Sequence, residues 1–432
     1  MEAVRSRKIV LIVVIAVTSL FPLVFVRLDE PTVGLNVYKL LAKVGSLSGS
    51  MLIVWQFLLG HRATVGKAVI DLLWVLNLHK TIGKYILLLI VLHPIFITIY
   101  YIIKEGINPL ALQTGLAFDT YVPLGMIALG IFVFVVATSL WLRSRLTFQN
   151  WYTMHLSTYL ALPLVFVHSL PIGQTIENTG LGIFWRVLLV AVVAFALYRL
   201  ICRFGLGIRM HVVTQVREVG SEVTEITARP EGPKLTPAIG QFVYFRRGLH
   251  GAIRPFTVSL YDPETGDLSV TVKAQGTTTT DLQSTEPGER VYIDGPYGVF
   301  SREALQTDRP LAMIAGGIGI TPFLRLCQEL APRGDRGLFL FYGNRRKDEI
   351  IYKDEFEEME RVRLVHVLSD EPDYEGETGF ITPELLRKHL QRDLKDHEFL
   401  ICGPPEMTIK LESGLGGEGV PADQIHHELF SY

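Results

Sequence analysis

The chain has 432 residues, length enough for two or three domains, and 49% of them are hydrophobic. A formal net charge of −2 with no basic block excludes an electrostatic nucleic-acid binder. Three cysteines, Cys202, Cys327 and Cys402, fit neither a metal spacing nor a disulfide framework, and reduced thiols suit a cytoplasmic setting.

Residues 1–205 carry six apolar stretches, at about 8–27, 40–60, 81–103, 121–142, 150–171 and 182–202, each long enough to cross hydrocarbon. The first starts like a signal peptide, but Arg27-Leu28-Asp29-Glu30 is no cleavage site, so it reads as a span. Basic residues sit at alternate ends: Arg5, Arg7 and Lys8 before the first span, Arg62, Lys67, Lys80 and Lys84 between the second and third. Arg143 and Arg145 lie between the fourth and fifth, and Arg199, Arg203 and Arg209 end the sixth. That asymmetry puts both termini in the cytoplasm. The segment 63–78 is amphipathic and reads either as a helix on the inner surface or as a loop.

His79 and His93 lie fourteen residues apart around the third span, and His155 and His168 thirteen apart in the fifth. An ionisable side chain inside a span is costly and therefore points to function. At 1.5 Å per residue each pair spans roughly 20 Å along the helix axis. Fourteen steps bring His93 to within about 40° of His79, whereas thirteen leave His168 about 140° from His155. The second pair therefore needs a bend, expected at Pro163. A lone histidine in an apolar helix is usually a core residue, and His61, at the end of an earlier span and outside the pattern, reads as interfacial. Four in paired spacing on two parallel spans would instead face each other at two depths, as axial ligands of two stacked low-spin haems.

From about Arg209 the pattern changes to short alternating strands, at 210–219, 222–228, 242–246, 256–261 and 268–274, the mark of a small antiparallel barrel. After Arg309, strands at 311–315, 337–342, 363–368 and 398–402 alternate with helices from Pro322, Tyr352 and Pro383, a doubly wound pattern. In Arg254-Pro255-Phe256-Thr257-Val258-Ser259 an arginine can grip a pyrophosphate, an aromatic can stack on a flat ring and a hydroxyl can bond a ring nitrogen. Alternation sets Arg254, Phe256 and Val258 on one side and Thr257 and Ser259 on the other. Lys273 and the turn Gly276-Thr277-Thr278-Thr279 follow one strand later, where backbone amides suit phosphate. Gly316-Gly317-Ile318-Gly319-Ile320-Thr321-Pro322 leaves a buried strand and opens a helix, a second phosphate turn. Arg345 and Arg346 suit a 2′-phosphate, and Cys402-Gly403-Pro404-Pro405 ends the last strand, where open sheets bind ligands. Phe430, near the chain end, is placed to cover a flavin ring.

Together these residues resemble the ferric reductase and NADPH oxidase superfamily over nearly the whole chain. Trp151 with His155 and His168, and His79 with His93-Pro94, are similar to its haem motifs. Arg254-Pro-Phe-Thr257, Gly316–Gly319 with Thr321-Pro322, and Cys402–Pro405 are similar to its ferredoxin-reductase-like half, and Asp294-Gly-Pro-Tyr-Gly298 to a linking segment there. The resemblance implies a multidomain fold: a six-helix transmembrane bundle at 1–205, an antiparallel β-barrel FAD domain at 206–308 and a doubly wound α/β NAD(P) domain at 309–432. It implies FAD and two b-type haems, an inner one on His79 and His155 and an outer one on His93 and His168. Thr257, Cys402 and Phe430 are then the residues at the reacting atoms. NAD(P)H would donate, and O2 would accept and give superoxide; the alternatives are a ferric chelate or a periplasmic partner enzyme. The expected setting is lipid, a bacterial inner or plasma membrane. Two departures stand out: Ile97 replaces a further histidine of the animal oxidases, and only Lys43 stands where they carry an arginine on the second span.

Overall fold

A computed structural model of the chain describes residues 2–61, 65–69, 71–113, 117–177, 179–203, 209–248 and 251–428. It divides into two compact units, Met1–Arg203 and Phe204–Tyr432.

In the first unit, six helices among the described residues are long and apolar enough to cross a membrane: Val4–Phe25, Val33–Leu59, Leu72–Glu105, Phe118–Leu140, Gln149–Ile172 and Leu181–Cys202. Leu88 and Ile183 point outward, 71% and 70% exposed, as suits hydrocarbon rather than water. Inside, Met51, Phe166 and Trp185 pack in one cluster, and the Trp185 indole donates to Ser169 Oγ at 3.1 Å.

Three details differ from the sequence reading. The third span begins at Leu72, so residues 72–78 are not a separate surface segment. Asp71 caps it by accepting from the Trp74 amide at 3.0 Å, and its carboxylate pairs with Lys8 at 2.7 Å. The second span starts at Val33 and contains a π-helical turn, Val44–Ser48. The fifth span breaks at 156–157, directly after His155, while Pro163 sits inside the following helix Thr158–Ile172. Hydroxyls cause this break. Ser157 Oγ donates to the Met154 carbonyl at 2.7 Å and Thr158 Oγ1 to that of His155 at 2.9 Å, while the backbone tightens to three-residue bonds.

Between the first two spans, Glu30 accepts from Lys39 and from the Tyr100 hydroxyl, each at 2.7 Å, and pairs with Lys104 at 3.1 Å. The Lys39 hydrogen bond, followed by that of Tyr100, holds its carboxyl down at about 2.

In the second unit, β1 (Arg209–Gly220), β2 (Val223–Pro230), β3 (Phe242–Arg247), β4 (Arg254–Tyr261), β5 (Leu268–Lys273) and β6 (Arg290–Tyr297) close a barrel in the order β1-β2-β5-β4-β3-β6. The motif read as a linking segment is thus largely the closing strand β6, bonded to both β1 and β3. Val213, Ile226, Phe245, Val258 and Val270 fill the interior. Helix α1 (Thr277–Gln283) follows β5.

Strands β7 (Leu311–Gly316), β8 (Leu338–Asn344), β9 (Val362–Leu368), β10 (Glu377–Thr378), β11 (Glu398–Cys402) and β12 (Ile425–Glu428) form a parallel sheet in the order β10-β9-β8-β7-β11-β12. Helices α2 (Thr321–Leu330), α3 (Lys353–Glu357), α4 (Pro383–His389) and α5 (Pro405–Gly417) connect them. Both sheet faces are buried: Met313, Leu340 and Phe323 on one, Ile314, Phe341 and Leu411 on the other. The sequence reading missed β10, at two residues too short for a pattern, and β12, whose Ile-His-His-Glu lacks an apolar run.

Tyr352 ties barrel to sheet. Its backbone lies in the left-handed region at φ +57°, and its buried hydroxyl donates to Glu225 at 2.7 Å and shares a hydrogen bond with Thr271 at 2.7 Å. Arg217 bridges Glu225 at 3.1 Å and Glu355 at 2.9 Å. Tyr352→Phe leaves Glu225 short of a buried donor and is expected to cost about 1–3 kcal/mol. Scanning fluorimetry of the full chain would show the melting temperature drop; an unchanged melt would remove the tie from the account. In the membrane unit, the Glu30 carboxyl, depressed from 4.5 to about 2, stabilises the fold above the ordinary carboxylate range, and that contribution drains as pH falls toward 2. Wild-type melting temperature should therefore fall more steeply than that of Glu30→Gln across this window, and parallel curves would contradict the Glu30 network.

Candidate functional site

Two pairs of imidazoles meet inside the membrane unit. His79 on the third span lies 6.0 Å from His155 on the fifth, centroid to centroid, and His93 lies 6.2 Å from His168. A metal about 2 Å from one nitrogen of each ring sets the centroids roughly 6 Å apart, so both pairs leave room for one iron. The break after His155 supplies the rotation that an ideal helix lacks.

Hydrogen bonding fixes which nitrogen is free. The Nδ1 of His79 lies 3.1 Å from the Gln56 carbonyl, that of His93 3.3 Å from Ala42, and that of His168 2.9 Å from Tyr121. A carbonyl only accepts, so each Nδ1 is the N–H and each Nε2 keeps its lone pair, the state of an axial ligand. His155 differs: its buried Nδ1 has no partner among the described residues, and its ring leans on Trp151 at 5.2 Å. Among the described residues no three His, Cys, Asp or Glu side chains gather as a site for a bare metal ion. Facing imidazole pairs suit a haem better. His61 lies apart, against Phe195 at 5.4 Å and Tyr198 at 5.9 Å.

In the second unit, β4 carries the flavin motif. Phe256 packs against the barrel core with Val258, and Thr257 faces the other way, as alternation requires. Thr257 is 4% exposed and its Oγ1 has no partner among the described residues, a buried hydroxyl that a flavin ring nitrogen would satisfy. Ser259 is not brought to that position: it is fully buried and its hydroxyl donates to the Ser269 carbonyl at 3.1 Å, holding the barrel. Arg254 and Pro255 are half-buried at the start of β4, and Lys273 is half-buried at the end of β5. Beyond Lys273, Gly276 and the exposed Thr277 open α1, and Thr278 is half-buried. Thr279 is occupied locally, its hydroxyl accepting from the Gln275 amide at 2.9 Å and donating to the Gly276 carbonyl at 3.0 Å.

At the carboxyl edge of the parallel sheet two turns press together. A Cβ on Gly319 would fall 2.1 Å from the Cys402 carbonyl oxygen, and one on Gly316 would fall 2.7 Å from Pro404 Cδ. A Cβ on Gly403 would fall 2.4 Å from Met407 Cε, the movable end of that side chain, and 3.1 Å from the Gly316 backbone. Gly317 is the opposite case: φ is +53° and nothing lies within 4 Å, leaving backbone open to a ligand. Thr321 and Pro322, both buried, open α2 behind it. Cys402 is fully buried beside Glu428, its partner across β11 and β12. Burial, then the Glu428 carboxylate, pushes its thiol well above the usual range, so it is neutral. Glu428 was missed as a site residue: it is 2% exposed, with Oε1 3.4 Å from where a Gly298 Cβ would lie. Its one signal in the sequence is an acid placed just before Phe430. Arg345 and Arg346 are exposed and already paired, with Glu349 at 2.8 Å and Asp348 at 2.7 Å. Phe430 lies outside the described residues.

Three family descriptions match successive parts of the chain: ferric reductase like transmembrane component over residues 45–166, oxidoreductase FAD-binding domain over 206–301 and oxidoreductase NAD-binding domain over 313–412. The chain is 32% identical over 210 residues to NADH-cytochrome b5 reductase 1 of Lodderomyces elongisporus, covering 45% of this chain and 70% of that one. It is 29% identical over 194 residues to the protein of the same name in Debaryomyces hansenii, covering 42% and 68%. Among solved structures, a cytochrome P450 reductase of Amycolatopsis is 25% identical, with a TM-score of 0.47 over 52% of this chain and 70% of that one.

The packed glycines allow a direct comparison. Gly319→Ala drives a methyl into the Cys402 carbonyl and is expected to cost ~1–3 kcal/mol or more. Gly317→Ala meets only the left-handed backbone penalty, ~1–2 kcal/mol, with free space around it. Melting temperatures of the two variants should rank accordingly, and the reverse order would discard the packing argument.

Proposed function

The chain belongs to the ferric reductase and NADPH oxidase type, a ferric reductase-like transmembrane component fused to ferredoxin-reductase-type FAD and NAD modules, and on that premise we propose that it moves electrons across a membrane through two haems to an acceptor on the opposite face. It is an integral membrane oxidoreductase with NAD(P)H as electron donor. The acceptor we propose is O2, giving superoxide. The observation that carries this reading is the two facing imidazole pairs at 6.0 and 6.2 Å, one above the other on the same two spans.

When bound, FAD converts a hydride donor into a source of single electrons and the haems provide one-electron stations. Everything else is binding and placement by the chain. His79 and His155 hold the inner haem, His93 and His168 the outer, through Nε2. Arg254 and the turn from Lys273 through Gly276 to Thr278 neutralise the FAD pyrophosphate, Phe256 and Pro255 line its bed, and the Thr257 hydroxyl donates to the ring. The turns Gly316–Pro322 and Cys402–Pro404 would take the nicotinamide nucleotide, and the buried, neutral Cys402 beside Glu428 would help keep water from it. No side chain serves as general acid or base. The termini and the flavin unit lie in the cytoplasm of a bacterial cell, and the outer haem serves the far side.

A second reading takes a ferric chelate as acceptor, favoured by the family description matched over residues 45–166. A third supplies a periplasmic partner enzyme, in keeping with the matched NADH-cytochrome b5 reductases, whose name points to a protein acceptor.

The test is cytochrome c reduction by the FAD-supplemented protein, with and without superoxide dismutase, using NADPH and NADH in parallel. Dismutase-sensitive turnover is expected. Haems that reduce anaerobically while little superoxide forms would transfer the assignment to iron or a protein partner. His93→Ala should lose one of two haems and stop transmembrane transfer while NAD(P)H still reduces the flavin; unchanged haem content would sink the ligand assignment.

A further inference from the structure

This inference rests on the reading of the imidazole pairs as haem ligands. The second and fourth spans contribute none of the four histidines, yet among the described residues they supply the main-chain acceptors of three of the rings. In each case a glycine follows about one turn later: Ala42 with Gly45, Gln56 with Gly60, and Tyr121 with Gly125. The space at these glycines is unequal. A Cβ on Gly125 would lie 2.8 Å from both Cε1 and Nδ1 of His168 and 3.0 Å from its Cγ, so the ring rests on the bare backbone of the fourth span. A Cβ on Gly45 would lie 2.6 Å from the His93 amide nitrogen and 2.8 Å from the Leu89 carbonyl oxygen. Gly60 only touches: its Cβ would sit 3.6 Å from His79 Cε1. Inside a bilayer, where no hydrophobic effect pulls helices together, close backbone approach at small residues and interhelical hydrogen bonds supply the attraction.

We propose that Gly125 with the Tyr121 carbonyl, and Gly45 with the Ala42 carbonyl, are positioning devices that fix the ring planes of the outer haem's two axial ligands, while among the described residues the inner site is held by a single such bond, from His79 to the Gln56 carbonyl. The outer imidazole planes cross at 73° and the inner at 58°. The angle between axial ring planes orders the iron d orbitals and so sets the low-field electron paramagnetic resonance of a low-spin haem. Hydrogen bonds to Nδ1 raise ligand basicity and tune the reduction potential. Fixed rings thus give the outer haem a defined resonance and potential, set by two spans that never touch iron.

The test is resonance spectroscopy and potentiometry on the full-length protein in detergent. In Gly125→Ala the outer haem's resonance and midpoint potential should shift, or that haem should be lost, with the inner haem's signal unmoved. Gly130→Ala, on the same helix with nothing within 4 Å, should leave both signals alone, as should Gly60→Ala. If Gly125→Ala protein is hard to recover, a thermal-melt cycle decides. With the ring removed the added methyl has nothing to strike, so Gly125→Ala/His168→Ala should melt where His168→Ala melts. Unmoved signals in Gly125→Ala, or a double variant whose losses simply add, overturn this inference while wild type still holds two haems. A wild type that binds no haem overturns the reading beneath it.

Discussion

An imidazole carried into hydrocarbon must satisfy two nitrogens at once, and the membrane unit is organised around that demand. Three of the four rings spend their N–H on main-chain carbonyls of neighbouring helices, which leaves the second nitrogen of each with its lone pair. Those bonds require helices close enough for a carbonyl to reach a ring, hence Gly45 and Gly125 at the crossings. They also require the fifth span to turn between its two histidines, hence the hydroxyl-assisted break at 156–157. Once the rings are fixed, so is the pairing of the third and fifth spans.

The second unit works by the same economy of space. Its nucleotide turn is shaped by exclusion: the chain ends of β7 and β11 approach so closely that a side chain at 319 would strike the Cys402 backbone and one at 316 the Pro404 ring, while Gly317 stays open. The buried hydroxyl of Thr257 has no partner among the described residues and is left for a ligand, whereas those of Ser259 and Thr279 are consumed by their own backbone surroundings. Tyr352 and Glu225 then hold barrel and sheet together through a strained residue, as expected where geometry must be kept.

Much of this was legible in the chain because it follows from local periodicity and composition. Six apolar runs, five of the six barrel strands, the alternating second half and the glycine turns all announce themselves within a few residues. The errors came where a non-local or finely local interaction decides. Leu72 opens the third span because Asp71 caps it, and the break at His155 arises from two hydroxyls rather than from the proline that draws the eye. Strand β6 contains Gly295-Pro296 and looks like a linker; it is a strand because β1 and β3 need an edge to pair with. Glu428 carries no motif of its own and becomes notable only when β12 sets it beside Cys402.

By itself the sequence determined the kinds of element, the membrane character of the first half, the identity of the four histidines and the residue types of the cofactor motifs. These depend on spacing along one helix, strand or turn. Tertiary structure alone decided how closely the two expected pairs approach, that three of the rings are hydrogen-bonded while His155 Nδ1 has no partner among the described residues, and which motif hydroxyls remain unspent. The reason is physical: a hydrogen bond or a steric limit between helices depends on how distant backbones approach, and nothing in one segment encodes the shape of another.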